Sequence, residues 1–104
     1  MGSDPNYLLE QIRAGTAPLI LDVRSEAEFK SGHVPGAVNI PFWQIVSKAE
    51  TLQAHRDAPI VVYCGHGPRA YIAGTALRRI GFSKVSYLKG HMRRWKSLGL
   101  RLEE

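Results

Sequence analysis

Apolar and polar residues follow one another along the chain in blocks that predict strands and helices in alternation. Short apolar runs bounded by turn residues predict buried strands, and they cover residues 19–23, 38–40, 60–63 and 84–88. Apolar residues at helical spacing predict longer helices, which cover residues 5–14, 42–53, 69–80 and 92–98. Strands separated by helices of this length are typical of βαβ units. We therefore expect an α/β domain with a parallel sheet and helices on both faces.

Capping residues mark where some of these elements begin and end. Asp4 followed by Pro5 is typical of a helix start, and Gly15 is typical of a helix end. Ser25 and Glu28 have the spacing of a capping box, which predicts a short helix directly after the first apolar run. In open parallel sheets, ligands bind beyond the carboxyl ends of the strands. The residues that follow each strand are therefore the first candidates for a site.

The length of 104 residues predicts a single domain, 1–104. A composition of 44% hydrophobic and 22% charged residues excludes extensive disorder, and no apolar run approaches the roughly 20 residues that a bilayer span needs. Residues 1–3 (Met-Gly-Ser) are typical of a remnant left by recombinant expression. The single cysteine excludes an internal disulfide and fits a reducing compartment. We expect a cytoplasmic protein, or a periplasmic one if a signal segment has been removed.

Positive charge is concentrated in the second half of the chain. The net charge is +5, but residues 1–63 carry a balance of −2 and residues 64–104 a balance of +7. Such an excess draws small anions or an acidic partner. The alternative is that most of these side chains only keep helix faces solvated, which we prefer for Arg78, Arg79, Arg93 and Arg94. The chain lacks a nucleic-acid-binding motif, so no nucleic-acid partner is expected.

One strand end carries the only cysteine, Cys64. The turn that follows it contains two glycines, a histidine and a proline, and a helical pattern begins at Arg69. Backbone N–H groups in such a turn and the positive end of a helix favour an anion, and the thiolate is the reactive form of cysteine. The alternative is a buried cysteine that serves as a small apolar side chain. The two glycines and the polar residues after Cys64 favour a nucleophile.

Three segments of the chain resemble the rhodanese-like sulfurtransferases, and together they span nearly its whole length. They are the run 21–41, with Leu-Asp-Val-Arg at 21–24 and Gly-His-Val-Pro-Gly-Ala at 32–37, the turn 64–69, and the run 88–92 followed by Trp95. The resemblance implies a rhodanese-like three-layer fold with a five-stranded parallel sheet. It also implies that Cys64 accepts a sulfane sulfur as a persulfide from a donor such as thiosulfate. Cyanide, a thiol or a protein acceptor then removes the sulfur, and no metal or other cofactor is needed.

This resemblance assigns Cys64 as the catalytic residue. The residues expected to bind substrate are those of the turn, namely Gly65, His66, Gly67 and Arg69. Asp22 and Arg24, at the end of another strand, are expected to support the turn. We expect a monomer whose donor is a small sulfur-containing anion. The alternative function is a persulfide carrier or redox-sensing module of the same fold that does not turn over.

The length of the turn disfavours a phosphatase. Four residues separate Cys64 from Arg69, one fewer than in the related cell-cycle phosphatases, and the narrower turn suits sulfur better than phosphate. A phosphatase also needs a general acid, and no Asp or Glu stands in or beside the turn in the sequence. Pro68 lacks an N–H and so removes one potential donor from the turn.

The remaining polar residues have less certain roles. His66 either assists the thiol or is a solvated side chain, and both remain open. His33 is expected to hold its own turn by a hydrogen bond. His91 either approaches the site from its turn or is an exposed turn residue, and we prefer the second. We expect an ion pair between Arg24 and Glu28 that fixes the first strand-to-helix corner.

Arg69, at a helix start, gains nothing from the helix dipole, so an anionic partner is expected. That partner is either the bound substrate or a carboxylate such as Asp22. Trp43 and Trp95 are expected to be packing residues. The four histidines and one cysteine lack the spacing of metal ligands, so no metal site is expected.

Overall fold

The computed structural model describes residues 2–104 and contains one sheet of five parallel strands. The strands are β1 (Gly2–Ser3), β2 (Leu19–Asp22), β3 (Val38–Asn39), β4 (Ile60–Tyr63) and β5 (Val85–Leu88). Their order across the sheet is β1–β5–β4–β2–β3. The central position of β4 explains its uninterrupted apolar sequence, because every residue of this strand is buried. The predicted α/β class and five-stranded parallel sheet are confirmed.

Helices cover both faces of the sheet, as predicted. They are α1 (Pro5–Ala14), α2 (Glu26–Lys30), α3 (Pro68–Arg79) and α4 (His91–Ser97). Side chains alternate along β4, so that Ile60 and Val62 pack in the cluster that includes α3 residues. Val61 and Tyr63 point the other way, into the cluster formed with α1 and α4. Two apolar layers thus enclose the sheet. No helix in the described part of the chain is long and apolar enough to cross a bilayer.

The capping predictions for the first two helices are confirmed. The Asp4 side chain accepts the N–H groups of Asn6 and Tyr7, and α1 ends at Gly15, whose φ of 74° is left-handed. The Ser25 and Glu28 side chains form a reciprocal capping box at the start of α2. These local bonds satisfy N–H groups that a helix start leaves without intrahelical partners.

The predicted helix over residues 42–53 is wrong. The chain forms two 3₁₀ segments there, Phe42–Gln44 and Ala49–His55. The Ser47 hydroxyl donates to the carbonyl of Gln44, and the Thr51 hydroxyl donates to that of Lys48. Hydroxyl groups that bond to nearby carbonyls compete with the α-helical ladder. The apolar spacing still places Ile45 and Leu52 in the core.

The fifth strand, β1, is formed by residues that the sequence pattern assigns to no element. Gly2 pairs with Tyr87, Ser3 pairs with Leu88, and the Lys89 N–H donates to the Ser3 carbonyl at 2.9 Å. Two residues without apolar side chains carry no strand signal. Residues 2 and 3, which resemble an expression remnant in the sequence, thus complete one edge of the sheet, while Met1 lies outside the described residues.

Candidate active site

Cys64 follows the carboxyl end of the central strand β4 and is fully buried. Its Sγ accepts the backbone N–H of Gly67 at an N–S distance of 3.0 Å. Gly67 is the residue directly before α3. The sulfur therefore lies at the N-terminal end of a 12-residue helix and accepts a backbone donor. Both features stabilise negative charge on the sulfur.

Gly67 occupies a backbone conformation that other residues rarely adopt. Its φ is 137°, and a Cβ added there would lie 3.2 Å from the Tyr71 ring and 3.4 Å from His91 Nε2. A side chain at this position would therefore strain the backbone and crowd two rings. Gly67 therefore allows the backbone conformation in which its own N–H reaches Cys64 Sγ.

The turn rests on the start of α4 through three backbone groups. The Met92 N–H donates to the Cys64 carbonyl and the Arg93 N–H to the Gly65 carbonyl, each at 3.0 Å. The Cys64 N–H donates to His91 Nδ1 at 3.3 Å. Two free N–H groups at the start of α4 and one side-chain acceptor thus fix the path of the turn.

The prediction that His91 is an exposed turn residue is wrong. Its exposure is 3%, its φ is positive at 54°, and its side chain bonds to the Cys64 N–H of the turn. Burial, and to a lesser degree the nearby charge of His66, lowers the pKa of His91 below the ordinary value of 6.5. The imidazole is therefore neutral at pH 7, which leaves Nδ1 free to accept the Cys64 N–H.

An open depression of about 470 Å³ lies beside the turn. Its walls come from three parts of the chain and consist of Arg24, Glu28, Gly65, His66, Met92, Arg93 and Lys96. His66 is exposed on the rim. Arg93 and Lys96 belong to α4 and were not predicted as site residues, although the charge excess of residues 64–104 was a signal for them. The positive charge of the second half of the chain thus reaches the candidate site.

Arg69 forms a bidentate ion pair with Glu28. The Nη1–Oε1 distance is 2.6 Å and the Nη2–Oε2 distance is 3.1 Å. The expected carboxylate partner of Arg69 is thus confirmed, although it is Glu28 and not Asp22, and the predicted ion pair between Arg24 and Glu28 is wrong. Hydrogen bonds from Arg69 and, to a smaller degree, from Ser25 lower the pKa of Glu28 from 4.5 to about 2. The pair ties the start of α3 to α2.

Asp22 and Arg24 instead form a buried cluster with Tyr63. Arg24 binds both carboxylate oxygens of Asp22, with a shortest N–O distance of 2.7 Å. The Tyr63 hydroxyl donates to Asp22 Oδ2 at 2.7 Å and accepts the Val34 N–H at 3.1 Å. Burial and the Asp22 charge raise the pKa of Tyr63 far above its ordinary value. The cluster fixes the residue immediately before Cys64.

Two further predictions concern side chains around the core. Trp95 is fully buried, and its indole N–H donates to the Arg101 carbonyl, so it is a packing residue as expected. Trp43 is 61% exposed, so the same prediction is wrong for that residue. His33 is buried and stacks on Phe29, and its Nδ1 is 2.9 Å from the Phe29 carbonyl oxygen. The predicted structural bond of His33 is thus confirmed.

The structure brings most of the predicted site residues together. Gly65, His66 and Arg24 line the depression, and Cys64 and Gly67 lie within the turn beside it. Arg69 lies behind Glu28, with its charge already paired. Sequence reasoning missed Glu28, Arg93 and Lys96 as site residues, and it set aside the approach of His91 to the site. The position of His91 shortly after the end of β5 was the signal for that approach, whereas no local signal pointed to Glu28.

The chain is similar to several known proteins. The family model described as "Rhodanese-like domain" matches residues 4–98. The uncharacterized protein YqhL of Bacillus subtilis is 34% identical over 87 residues, which are 83% of this chain and 68% of that protein. The HTH-type transcriptional regulator Rv0324 of Mycobacterium tuberculosis is 36% identical over 99 residues, 93% of this chain and 42% of the regulator.

Among solved structures, a thiosulfate sulfurtransferase from Pseudomonas aeruginosa is 28% identical, with a TM-score of 0.85. The match covers 98% of this chain but only 20% of that protein. The chain thus spans less than half of two of these three proteins. The family model, which matches residues 4–98, shows that the chain belongs to the rhodanese-like domain family.

Proposed function

We propose that this protein is a sulfurtransferase that carries a sulfane sulfur as a persulfide on Cys64. The observation that carries the proposal is the 3.0 Å bond from the Gly67 N–H to Cys64 Sγ, formed at the start of α3 beside a depression with cationic walls. This arrangement stabilises an anionic sulfur without a metal or cofactor. Membership of the family supports sulfurtransferase chemistry in general terms.

The transfer proceeds in two displacements. In the first, the Cys64 thiolate attacks the outer sulfur of thiosulfate, the sulfur–sulfur bond breaks, and sulfite leaves with the bonding electron pair. In the second, cyanide or a thiolate attacks the outer sulfur of the persulfide, and the Cys64 thiolate is regenerated. Each step exchanges one sulfur between nucleophiles, so no separate oxidant or reductant is consumed.

Cations on α4 are suited to bind the donor. Arg93 and Lys96 line the depression, and thiosulfate and the departing sulfite are both dianions. Arg69, in contrast, already shares its charge with Glu28. We therefore assign the first attraction of the donor to α4, while Gly65, His66 and Gly67 contact the sulfur that is transferred. Because Cys64 is fully buried, the attack requires a small displacement of the turn.

The test is the formation of thiocyanate from thiosulfate and cyanide. The wild-type protein is expected to turn over repeatedly, and Cys64→Ser is expected to be inactive while keeping its fold, because the two side chains have the same shape. Intact-mass measurement after thiosulfate treatment should show one added sulfur atom in the wild type alone. A Cys64→Ser variant as active as the wild type would overturn the proposal.

A second candidate is a persulfide carrier or redox sensor that does not turn over. The match of 93% of this chain to part of a transcriptional regulator favours it, because the domain there belongs to a protein named for regulation. A carrier would gain one sulfur, shown by its mass, and then release it only to a dedicated partner. Stoichiometric labelling without thiocyanate turnover would select this candidate.

A further inference from the structure

His91 contacts two of the residues that form the sulfur site. Its Nδ1 accepts the Cys64 N–H, and its Nε2 lies against Gly67, whose own N–H donates to the sulfur. The side chain is 3% exposed and holds a φ of 54°, an uncommon value for a residue with a side chain. A conformation of this kind persists only where the surrounding contacts maintain it.

The Cys64 N–H differs from the Gly67 N–H in the group to which it donates. It belongs to the residue that carries the nucleophile, and it points to His91 instead of the sulfur. The carbonyls of Cys64 and Gly65 are bound by the next two N–H groups of α4. The peptide groups on both sides of Cys64 Cα therefore bond to one short segment, residues 91–93, and His91 supplies the only side-chain contact among these bonds.

We propose that His91 is a positioning residue, which sets the direction of Cys64 Sγ by accepting the Cys64 N–H on a neutral imidazole. This inference rests on the proposed sulfurtransferase function. Without the acceptor, the buried Cys64 N–H has no partner, and the peptide before Cys64 is held from its other side alone, by the Val23 N–H that donates to the Tyr63 carbonyl at 3.0 Å. The Gly67 N–H then meets the sulfur less often, and attack on the donor slows.

The groups that face the imidazole agree with a neutral acceptor. These are His66 from the turn and the Tyr71 ring from α3, which is nearly perpendicular to the imidazole at a centroid distance of 5.8 Å. No carboxylate among the described residues forms an ion pair with His91 that would hold it in the charged form. Protonation of Nδ1 at acid pH would replace the acceptor with a donor and break the bond to Cys64.

Two substitutions separate the acceptor from the bulk of the ring. His91→Asn keeps an acceptor close to the position of Nδ1 and tolerates a positive φ, whereas His91→Gly accepts that φ but has no acceptor. We expect His91→Gly to lose about tenfold in kcat/KM for thiosulfate and His91→Asn to lose about twofold, since one buried bond is removed in the first alone. Circular dichroism melting confirms that both variants are folded.

A spectroscopic measurement tests the bond without activity. In uniformly ¹⁵N-labelled protein, the wild-type His91 should show the tautomer with an unprotonated Nδ1 at pH 7, and the Cys64 amide should shift in step with His91 as the pH falls. A His91 protonated on Nδ1 at pH 7, or a folded His91→Gly with wild-type kcat/KM, would overturn the inference. An inactive wild type with the expected tautomer would refute the proposed function and leave the hydrogen bond established.

Discussion

Replacing Tyr63 with phenylalanine tests the buried cluster that fixes the strand end before Cys64. The hydroxyl is fully buried, donates to Asp22 Oδ2 at 2.7 Å and accepts the Val34 N–H at 3.1 Å. Tyr63→Phe removes one bond to a carboxylate and leaves a buried N–H without a partner. The first loss costs about 1.5–3 kcal/mol and the second about 1–3 kcal/mol, partly offset by the more apolar ring. We expect a net loss of about 3 kcal/mol in the free energy of unfolding.

Urea denaturation measures this loss as a lower midpoint at an unchanged slope. Tyr7→Phe is the matched control, because the same hydroxyl is removed from a side chain that is 60% exposed, and its effect should stay within about 0.5 kcal/mol. An unfolding equilibrium constant at least tenfold larger for Tyr63→Phe than for Tyr7→Phe would show that the buried hydroxyl stabilises the fold. If Tyr63→Phe costs less than about 1 kcal/mol, the hydroxyl does not hold Asp22 and Val34 together, and the cluster does not fix the position of Cys64.

Three further predictions concern the turn and its walls. Gly67→Ala should lower kcat/KM for thiosulfate at least tenfold, because its Cβ meets two rings at a φ of 137°; Gly36→Ala, also at positive φ but with open space, should keep wild-type activity. Glu28→Gln should make stability less dependent on pH. The bond from Arg69 lowers the pKa of Glu28 to about 2, so the pair stabilises fully above pH 4.5 and is lost as the pH falls toward 2. At this part-exposed site, urea titrations at several pH values should show a difference of about 1 kcal/mol across that window. Arg93→Ala combined with Lys96→Ala should raise the KM for thiosulfate about fivefold at low salt and less at high salt; an unchanged KM at low salt would exclude α4 from donor binding.

Elements with strong local signals could be predicted from the sequence. The cap of α1, the capping box of α2 and the buried strand β4 follow from residues close together in the chain. The strand β1 could not be predicted, because its two residues pair with β5 only through backbone bonds. The region 42–53 was mispredicted, because its apolar spacing matches a helix while its hydroxyl side chains compete for the carbonyls that a helix needs.

Ion pairs were the least predictable part of the candidate site. Arg24 and Glu28 are four residues apart, which favours a local pair, yet Glu28 binds Arg69, 41 residues later. Arg24 is occupied instead by Asp22, two residues before it. The partner of a long charged side chain depends on which residues the fold places within its reach. Because Arg24 is buried, its charge must be paired with an opposite charge, and the Asp22 carboxylate pairs with it. The burial of His91 likewise depends on the fold, which places the start of α4 against the turn.

The position of Glu28 bears directly on the choice between sulfur and phosphoryl transfer. No acid stands near the turn in the sequence, but the fold places the Glu28 carboxylate in the wall of the depression. A general acid must hold a proton at neutral pH to protonate a leaving oxygen. The pKa of Glu28 is lowered to about 2 by its bonds to Arg69 and Ser25, so this carboxyl is ionised at pH 7 and its oxygens are already engaged. The carboxylate therefore orients Arg69 and α2, and it supplies no proton. Sulfur transfer needs none, since sulfite leaves as a stable anion, and the short turn and the ionised Glu28 thus favour the same chemistry.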